Sequence, residues 1–216
     1  QMAHAGVFFL TISGGEIFMR TDLFEIVEHA RKLQFSVKLK TNAVMIRAAK
    51  ARRIAELGVD SVQISLYSHD AATQDEITKL PGSFKRTIEG TRFLRDAGVK
   101  VAFANVLMAQ NADHYKQVQA LADEMGIGYT VDATITPMMD GDRGIVELNM
   151  DPGRLAGIMH DTSLLGDQAE RLLAAPSGPT PLEEAYETLP CSAGHTACYI
   201  SPYGDVFPCV QFPYKV

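Results

Sequence analysis

Three cysteines near the end of this 216-residue chain are the side chains best suited to metal or redox chemistry. They are Cys191, Cys198 and Cys209, and the first 190 residues contain none. An odd number of cysteines makes a poor disulfide framework, and without a secretion signal the sequence indicates a reducing compartment. We therefore interpret the thiols as ligands for a metal or cluster.

A second group of candidate residues follows predicted strands in the first half of the chain. Gly14-Gly15-Glu16 comes after an apolar run, Thr41-Asn42 ends the next strand, and Ser65 lies near the end of the one after. Glycines let backbone groups approach a ligand, and a carboxylate beside them can bind an ammonium group. Taken singly, each motif equally fits an ordinary turn or helix cap, so the sequence alone leaves that alternative open.

The elements that must position these residues alternate between strands and helices. Apolar or alternating runs predict five strands, and helical periodicity fills the gaps between them, with Gly58, Gly98 and Gly126 at helix ends. The predicted strands span 7–13, 37–41, 61–68, 99–107 and 129–136. This order predicts an α/β architecture with a parallel sheet. The alternative is an antiparallel sheet with one face in solvent.

Three of the predicted strands carry one polar face each. Lys38 and Lys40 share a face in the second strand, as do Gln63 and Ser65 in the third, and Thr130, Asp132, Thr134 and Thr136 in the fifth. A sheet covered on both faces should be apolar throughout, so we predict a wet, open face. At least one of the two lysines should point into it, and Asp132 is one candidate partner.

Composition excludes several functional classes. The chain is 46% hydrophobic and 21% charged, enough to bury a core, and its net charge of −6 argues against nucleic-acid binding. No run reaches membrane-spanning length, and we expect no signal peptide, no membrane partner and a cytoplasmic location.

Together, the Gly-Gly-Glu, Thr-Asn-Ala and Val62-Gln63-Ile64-Ser65-Leu66 segments resemble the core of the radical S-adenosylmethionine (SAM) enzymes. The resemblance implies a partial (β/α)6 barrel of which strands two to six are present. It also implies that Gly14, Gly15 and Glu16 bind the methionine end of SAM and that Ser65 approaches the ribose. Thr41 and Asn42 match positions near the cofactor, where Ala43 replaces the usual glycine. Asn105 is a further, weaker match.

The tail resembles the start of a SPASM extension, which holds auxiliary iron–sulfur clusters. The resemblance rests on the cysteine spacing and on the turn Ser201-Pro202-Tyr203-Gly204-Asp205. It implies that Cys191, Cys198 and Cys209 are ligands of an auxiliary [4Fe–4S] cluster. A structural zinc site formed by Cys191, His195, Cys198 and Cys209 is the alternative.

The resemblance further implies a domain order and a reaction. Residues 1–150 should form the barrel core, 151–190 a connecting helix and linker, and 191–216 the start of SPASM. SAM cleaved reductively at a [4Fe–4S] cluster yields a 5′-deoxyadenosyl radical that abstracts hydrogen from a substrate. The first expectation is a ribosomal peptide or protein side chain, the second a small molecule, with a flavodoxin or ferredoxin as electron donor.

One departure from the family concerns the radical site itself. The Cys-x3-Cys-x2-Cys run that holds the radical-site cluster does not occur in this sequence. We therefore expect the sequence to be a fragment of a longer chain and to be inactive as it stands. The alternatives are a catalytically silent barrel that binds peptides, and a barrel enzyme with a structural zinc tail.

Overall fold

The computed structural model describes residues 1–138, 140–165 and 191–212. The chain falls into two compact units, Gln1–Ala133 and Thr134–Val216. The first unit contains the candidate residues around Glu16, and the second contains the three cysteines.

The first unit is built on one five-stranded sheet. Its strands follow one another in chain order and every neighbouring pair is parallel, which confirms the predicted α/β fold and excludes the antiparallel alternative. Parallel neighbours need a crossover, and helices provide each one. The strands are β1 Phe9–Ile12, β2 Ser36–Thr41, β3 Ser61–Ser65, β4 Val101–Val106 and β5 Gly128–Asp132; the helices are α1 Leu23–Lys32, α2 Ala48–Glu56, α3 Ala71–Thr78, α4 Ser83–Asp96 and α5 Tyr115–Glu124.

The apolar core lies on one side of this sheet. Val37 and Leu39 of β2 and Ile64 of β3 are fully buried there, together with apolar residues of α1, α2, α4 and α5. Alternate side chains of a strand point to opposite faces, so the same strands direct their polar residues away from the helices. Burial of one face only is what the sequence pattern predicts for a partial barrel.

The opposite side of the sheet, which we call the open face, carries the polar residues that alternate with the buried apolar ones. The strand register places on it Phe9, Thr11, Ser36, Lys38, Lys40, Ser61, Gln63, Ser65, Ala102, Ala104, Val106, Gly128, Thr130 and Asp132. The predicted polar faces of β2 and β3 are therefore confirmed. Strand β5 ends at Asp132, so Thr134 and Thr136 lie outside the sheet.

The sequence pattern did not predict α3. Gln74 is its only buried residue, and it presents no apolar stripe. What fixes the helix is polar: Asp70 caps its first turn by accepting from the backbone N–H of Thr73 at 2.8 Å. Asp75 then accepts from the backbone N–H groups of Phe84 and Gly82 and from the Ser83 hydroxyl, and these bonds hold its pKa below the usual range. Helix α4 thus receives its cap from α3.

The described part of the second unit contains two short α-helices, a 3-10 turn at Gly144–Leu148 and a hairpin. Helix α6 spans Pro152–Met159, with Asp151 as its N-cap, and α7 spans Thr162–Leu165. They lie in the range where the sequence predicts a helix at 151–173, of which residues 166–173 fall outside the described part. Strands β6 Tyr199–Ile200 and β7 Val206–Phe207 pair antiparallel around the predicted turn. The proposed domain boundaries at 150 and 190 remain predictions.

The part of the chain that the structure describes contains no candidate for a membrane-spanning helix. None of the helices there combines the length and the apolar composition needed to cross a bilayer.

Helix α4 approaches the end of β2 so closely that one of its residues must be glycine. A Cβ atom on Gly90 would overlap the backbone carbonyl oxygen of Ala43. We expect Gly90→Ala to lower the free energy of unfolding by about 1–3 kcal/mol, the scale of overpacking, as measured by denaturant unfolding. Gly157→Ala is the matched control, because Gly157 is helical, exposed and open around its Cβ position. Equal stability of the two variants would contradict the close approach.

Candidate functional site

The carboxyl ends of β1, β2 and β3 bring most of the predicted site residues to one edge of the sheet. Gly14-Gly15-Glu16 follows β1, Thr41 is the last residue of β2 with Asn42 directly after it, and Ser65 is the last residue of β3. Because the three strands are parallel neighbours, their final residues lie side by side. The edge at which parallel strands end is where α/β enzymes bind ligands.

The Glu16 carboxylate joins the first two of these turns. Its Oε1 accepts from the Thr41 hydroxyl at 2.7 Å and from the backbone N–H of Phe18 at 3.0 Å. Its Oε2 accepts from the backbone N–H of Asn42 at 2.9 Å. A carboxylate offers about four acceptor positions, so one remains on Oε2. Glu16 therefore fixes the geometry of the edge and keeps capacity for one further donor.

The turn after β2 is held from several sides. The Thr41 hydroxyl accepts from the backbone N–H of Ala43 at 3.0 Å, and the Asn42 side-chain oxygen accepts from that of Val44 at 2.9 Å. Thr87 of α4 donates its hydroxyl to the Asn42 carbonyl at 2.9 Å. Ala43 itself adopts a left-handed conformation with φ 59°, which disfavours any residue but glycine and persists because these bonds impose it.

The two glycines and Ser65 form the accessible part of this edge. Gly14 and Gly15 are exposed, and among the described residues other than its chain neighbours no atom lies within 4 Å of a Cβ placed on either. Ser65 is half-buried on the open face, and no described residue hydrogen-bonds its hydroxyl. A ligand can therefore reach the Gly14-Gly15 backbone and the Ser65 hydroxyl, while Thr41, which is buried, serves to position Glu16.

Asn105 is the exception among the predicted cofactor-binding residues. It lies on the helix-facing side of β4 and is fully buried. Its amide donates to the Leu66 carbonyl at 2.7 Å, and its oxygen accepts from the Tyr129 hydroxyl at 3.3 Å. Burial raises the pKa of Tyr129, which keeps that phenol protonated as a donor. The position of Asn105 speaks against a direct cofactor contact and assigns it to the core.

Sequence reasoning missed a polar network at the same edge, beyond β3 and β4. The buried Asn111 donates to the carbonyls of Tyr67 and Val106, each at 2.9 Å. The buried Ser68 hydroxyl lies 2.6 Å from Nδ1 of His114. The only sequence signal was the occurrence of polar residues a few positions after each of these strands, which is also typical of ordinary loops.

Two of the three cysteines, Cys198 and Cys209, flank the open end of the β6–β7 hairpin. Cys198 directly precedes β6 and Cys209 lies two residues after the end of β7, so the antiparallel register places both at the same end of the hairpin. Cys191 and Cys198 are exposed, Cys209 is half-buried, and all three are free thiols. Within the described ranges, no three His, Cys, Asp or Glu side chains form a group able to hold a metal ion. Neither the cluster nor the zinc site is therefore assembled there.

The turn of this hairpin forms as the sequence predicts. The Ser201 backbone N–H donates to the Asp205 carbonyl at 2.8 Å, and the Gly204 N–H donates to the Ser201 carbonyl at 3.0 Å. Gly204 has φ 87°, which only glycine adopts without strain.

Comparisons with known proteins agree with this geometry. The sequence model of the Radical SAM superfamily matches residues 1–125. The AdoMet-dependent heme synthase of Methanosarcina barkeri is 25% identical over 99% of this chain and 66% of that protein. The mycofactocin maturase MftC of Mycolicibacterium smegmatis is 30% identical over 97% of this chain and 54% of that protein.

Solved structures show the same fold. SuiB of Streptococcus suis bound to S-adenosylmethionine superimposes with a TM-score of 0.71 at 19% identity, over 97% of this chain and 51% of SuiB. SuiB bound to its precursor peptide SuiA gives a TM-score of 0.70 over 94% of this chain and 49% of that one. This chain thus spans no more than 66% of any of these proteins.

Removal of the Thr41 hydroxyl tests the link between the turn after β1 and the turn after β2. Thr41→Val keeps the shape but removes the donor to Glu16 and the acceptor for the Ala43 N–H. We expect a loss of about 1–3 kcal/mol in the free energy of unfolding, because a buried N–H is left unpaired. Thr73→Val is the control: it removes a hydroxyl that also donates to a carboxylate, that of Asp70, but at an exposed site. A larger loss in the control would refute the assigned role.

Proposed function

The chain belongs to the radical SAM superfamily of enzymes, and we propose that the protein cleaves SAM reductively and abstracts hydrogen from a peptide substrate. The observation that carries this proposal is the Glu16 carboxylate. It joins the turns after β1 and β2 beside an exposed Gly14-Gly15 backbone, on the edge where a ligand of the sheet would bind.

The residues at this edge fit the methionine and ribose ends of SAM. The remaining acceptor position on Glu16 suits an ammonium group, and no described side chain lies within 4 Å of the Cβ positions of Gly14 and Gly15. The Ser65 hydroxyl, on the adjoining part of the edge, suits a ribose. When bound, SAM and a [4Fe–4S] cluster together supply the carbon radical, and this chain's residues orient the cofactor and exclude competing reactions.

The relatives support a peptide as the first candidate substrate. One is named a maturase, and SuiB was solved with a precursor peptide. A small molecule is the second candidate, because the Methanosarcina barkeri relative, which matches 99% of this chain, is named a heme synthase. Anaerobic assays of the full-length protein with SAM and a reductant should release 5′-deoxyadenosine. A flavodoxin or ferredoxin is the proposed physiological electron donor.

Gly15 offers the sharpest test of the SAM site. Gly15→Val places an isopropyl group above the exposed backbone, at a position where no described residue beyond the chain neighbours comes within 4 Å of the Cβ. We expect SAM affinity, measured by calorimetry on the full-length protein, to fall about tenfold or more, which corresponds to about 1.4 kcal/mol. Thermal stability should change little, and Gly15→Ala should give a smaller loss. Unchanged SAM affinity in Gly15→Val would remove this turn from the site.

Substitution of Glu16 is a less selective test. If Glu16 receives the methionine ammonium, Glu16→Gln should weaken SAM binding by roughly 1.5–3 kcal/mol, the scale of a hydrogen bond to a charged group. The same change places an amide N–H against the backbone N–H of Asn42 or removes an acceptor from Thr41. Its effect on SAM affinity must therefore be read together with its effect on stability.

We also propose that Cys191, Cys198 and Cys209 bind an auxiliary [4Fe–4S] cluster, since thiolates are its usual ligands. The full-length protein should contain iron and sulfide beyond one cluster, and Cys209→Ser should lower both and reduce the visible absorbance. His195→Gln is the control, because it would disturb only the zinc alternative. Stoichiometric zinc that is lost in His195→Gln would overturn the cluster assignment.

A further inference from the structure

Two lysines stand out on the open face of the sheet. Lys38 and Lys40 both belong to β2, two residues apart, and the register places them on the side opposite the buried Val37 and Leu39. Lys40 is exposed and Lys38 is half-buried. Asp132 is the only carboxylate that the described strands place on the same face.

Within ranges 1–138, 140–165 and 191–212, no carboxylate forms an ion pair with Lys38 or Lys40. By contrast, Arg31, Lys32, Arg53 and Arg95 on the helices all form one. Asp132 lies three strands away from β2, about 14 Å at the usual strand spacing, and its position excludes the pairing that the sequence suggested. Two positive charges therefore face the open side in a chain of net charge −6.

The neighbouring strands leave space in front of Lys40. The register aligns Lys40 with Gln63, then with Ala102 and Gly128. The side chains in this row therefore become smaller from β2 to β5. The Gln63 amide spans β4 and donates to the Thr130 hydroxyl at 2.9 Å. It can do so because β4 presents only alanines there. The result is a shallow polar floor with cationic side chains along one side.

We propose that Lys38 and Lys40 bind two carboxylates of an acidic segment in the substrate peptide, of the form Glu-x-Glu or Asp-x-Asp. Residues two apart in a strand are about 6.6–6.8 Å apart and point the same way. An extended peptide has the same repeat, so its alternate side chains match the two lysines in spacing. The proposal rests on the proposed function, because it specifies the peptide substrate of that site.

The spacing also favours a substrate over the cofactor as the source of the anion. SAM has a single carboxylate, and its ammonium and sulfonium groups give it a net positive charge, which matches a pair of lysines poorly. Glu16 and the exposed glycines lie beyond the end of β1, whereas Lys38 lies well inside β2, paired in register with Thr11 and Ser61. The two charges together match a ligand that extends along the sheet.

Short peptide probes test this assignment on the full-length protein. The acidic probe is acetyl-Gly-Glu-Ala-Glu-Gly-amide, and the neutral probe replaces both glutamates by glutamine. We expect binding of the acidic probe alone, weakened about two- to fivefold by Lys40→Gln or Lys38→Gln at low salt and further by added salt. Lys85→Gln, on the exposed surface of α4, is the control and should bind as the unsubstituted protein does.

Several outcomes would overturn the proposal. Equal binding of both probes, or an equal loss in Lys85→Gln and Lys40→Gln, would show that the lysines do not form a specific site. A loss of SAM affinity in Lys40→Gln, with peptide binding unchanged, would assign the cation to the cofactor. Failure of the proposed function is a separate result: the unsubstituted protein would then bind no SAM, whichever peptide it binds.

Discussion

The carboxylate of Glu16 is the contact on which the candidate site depends. It receives two backbone N–H groups and one hydroxyl, and these come from the turns after two different strands. Because the Asn42 N–H is one of them, the turn after β2 cannot move without breaking a hydrogen bond to the turn after β1. Helix α4 adds Thr87 and the close approach of Gly90, so the outer layer also fixes this edge.

The parallel register brings the other candidate residues to the same edge as Glu16. Strands β1, β2 and β3 end side by side, which places Gly14, Gly15 and Ser65 along one edge. Packing of the helices on one face only leaves the other face to polar side chains. The same division that builds the core therefore produces both an accessible backbone at the edge and two lysines on the open face.

In the described part of the second unit the predicted turn is formed, but the residues proposed to bind a cluster are not gathered into one site. The hairpin of β6 and β7 forms around Ser201 and Gly204, and it brings Cys198 and Cys209 to its open end. No group of three metal ligands exists within the described ranges. This hairpin forms from residues that are close in sequence, whereas a four-ligand cluster needs residues from several segments. Formation of the turn therefore does not by itself assemble the metal site.

The sequence by itself determined the strand–helix order, the buried face of β2 and β3 and the motif around Glu16, because alternation and glycine-bounded turns are local properties of the chain. It could not determine that Glu16 binds Thr41 and Asn42, since that contact joins residues 25 and 26 positions apart. Helix α3 was missed because polar caps rather than an apolar stripe define it. Asn105 was placed with the ligand-binding residues because the family resemblance matched its position on the strand. Only the tertiary structure decided its orientation, since one step along β4 moves a side chain from the open face to the core.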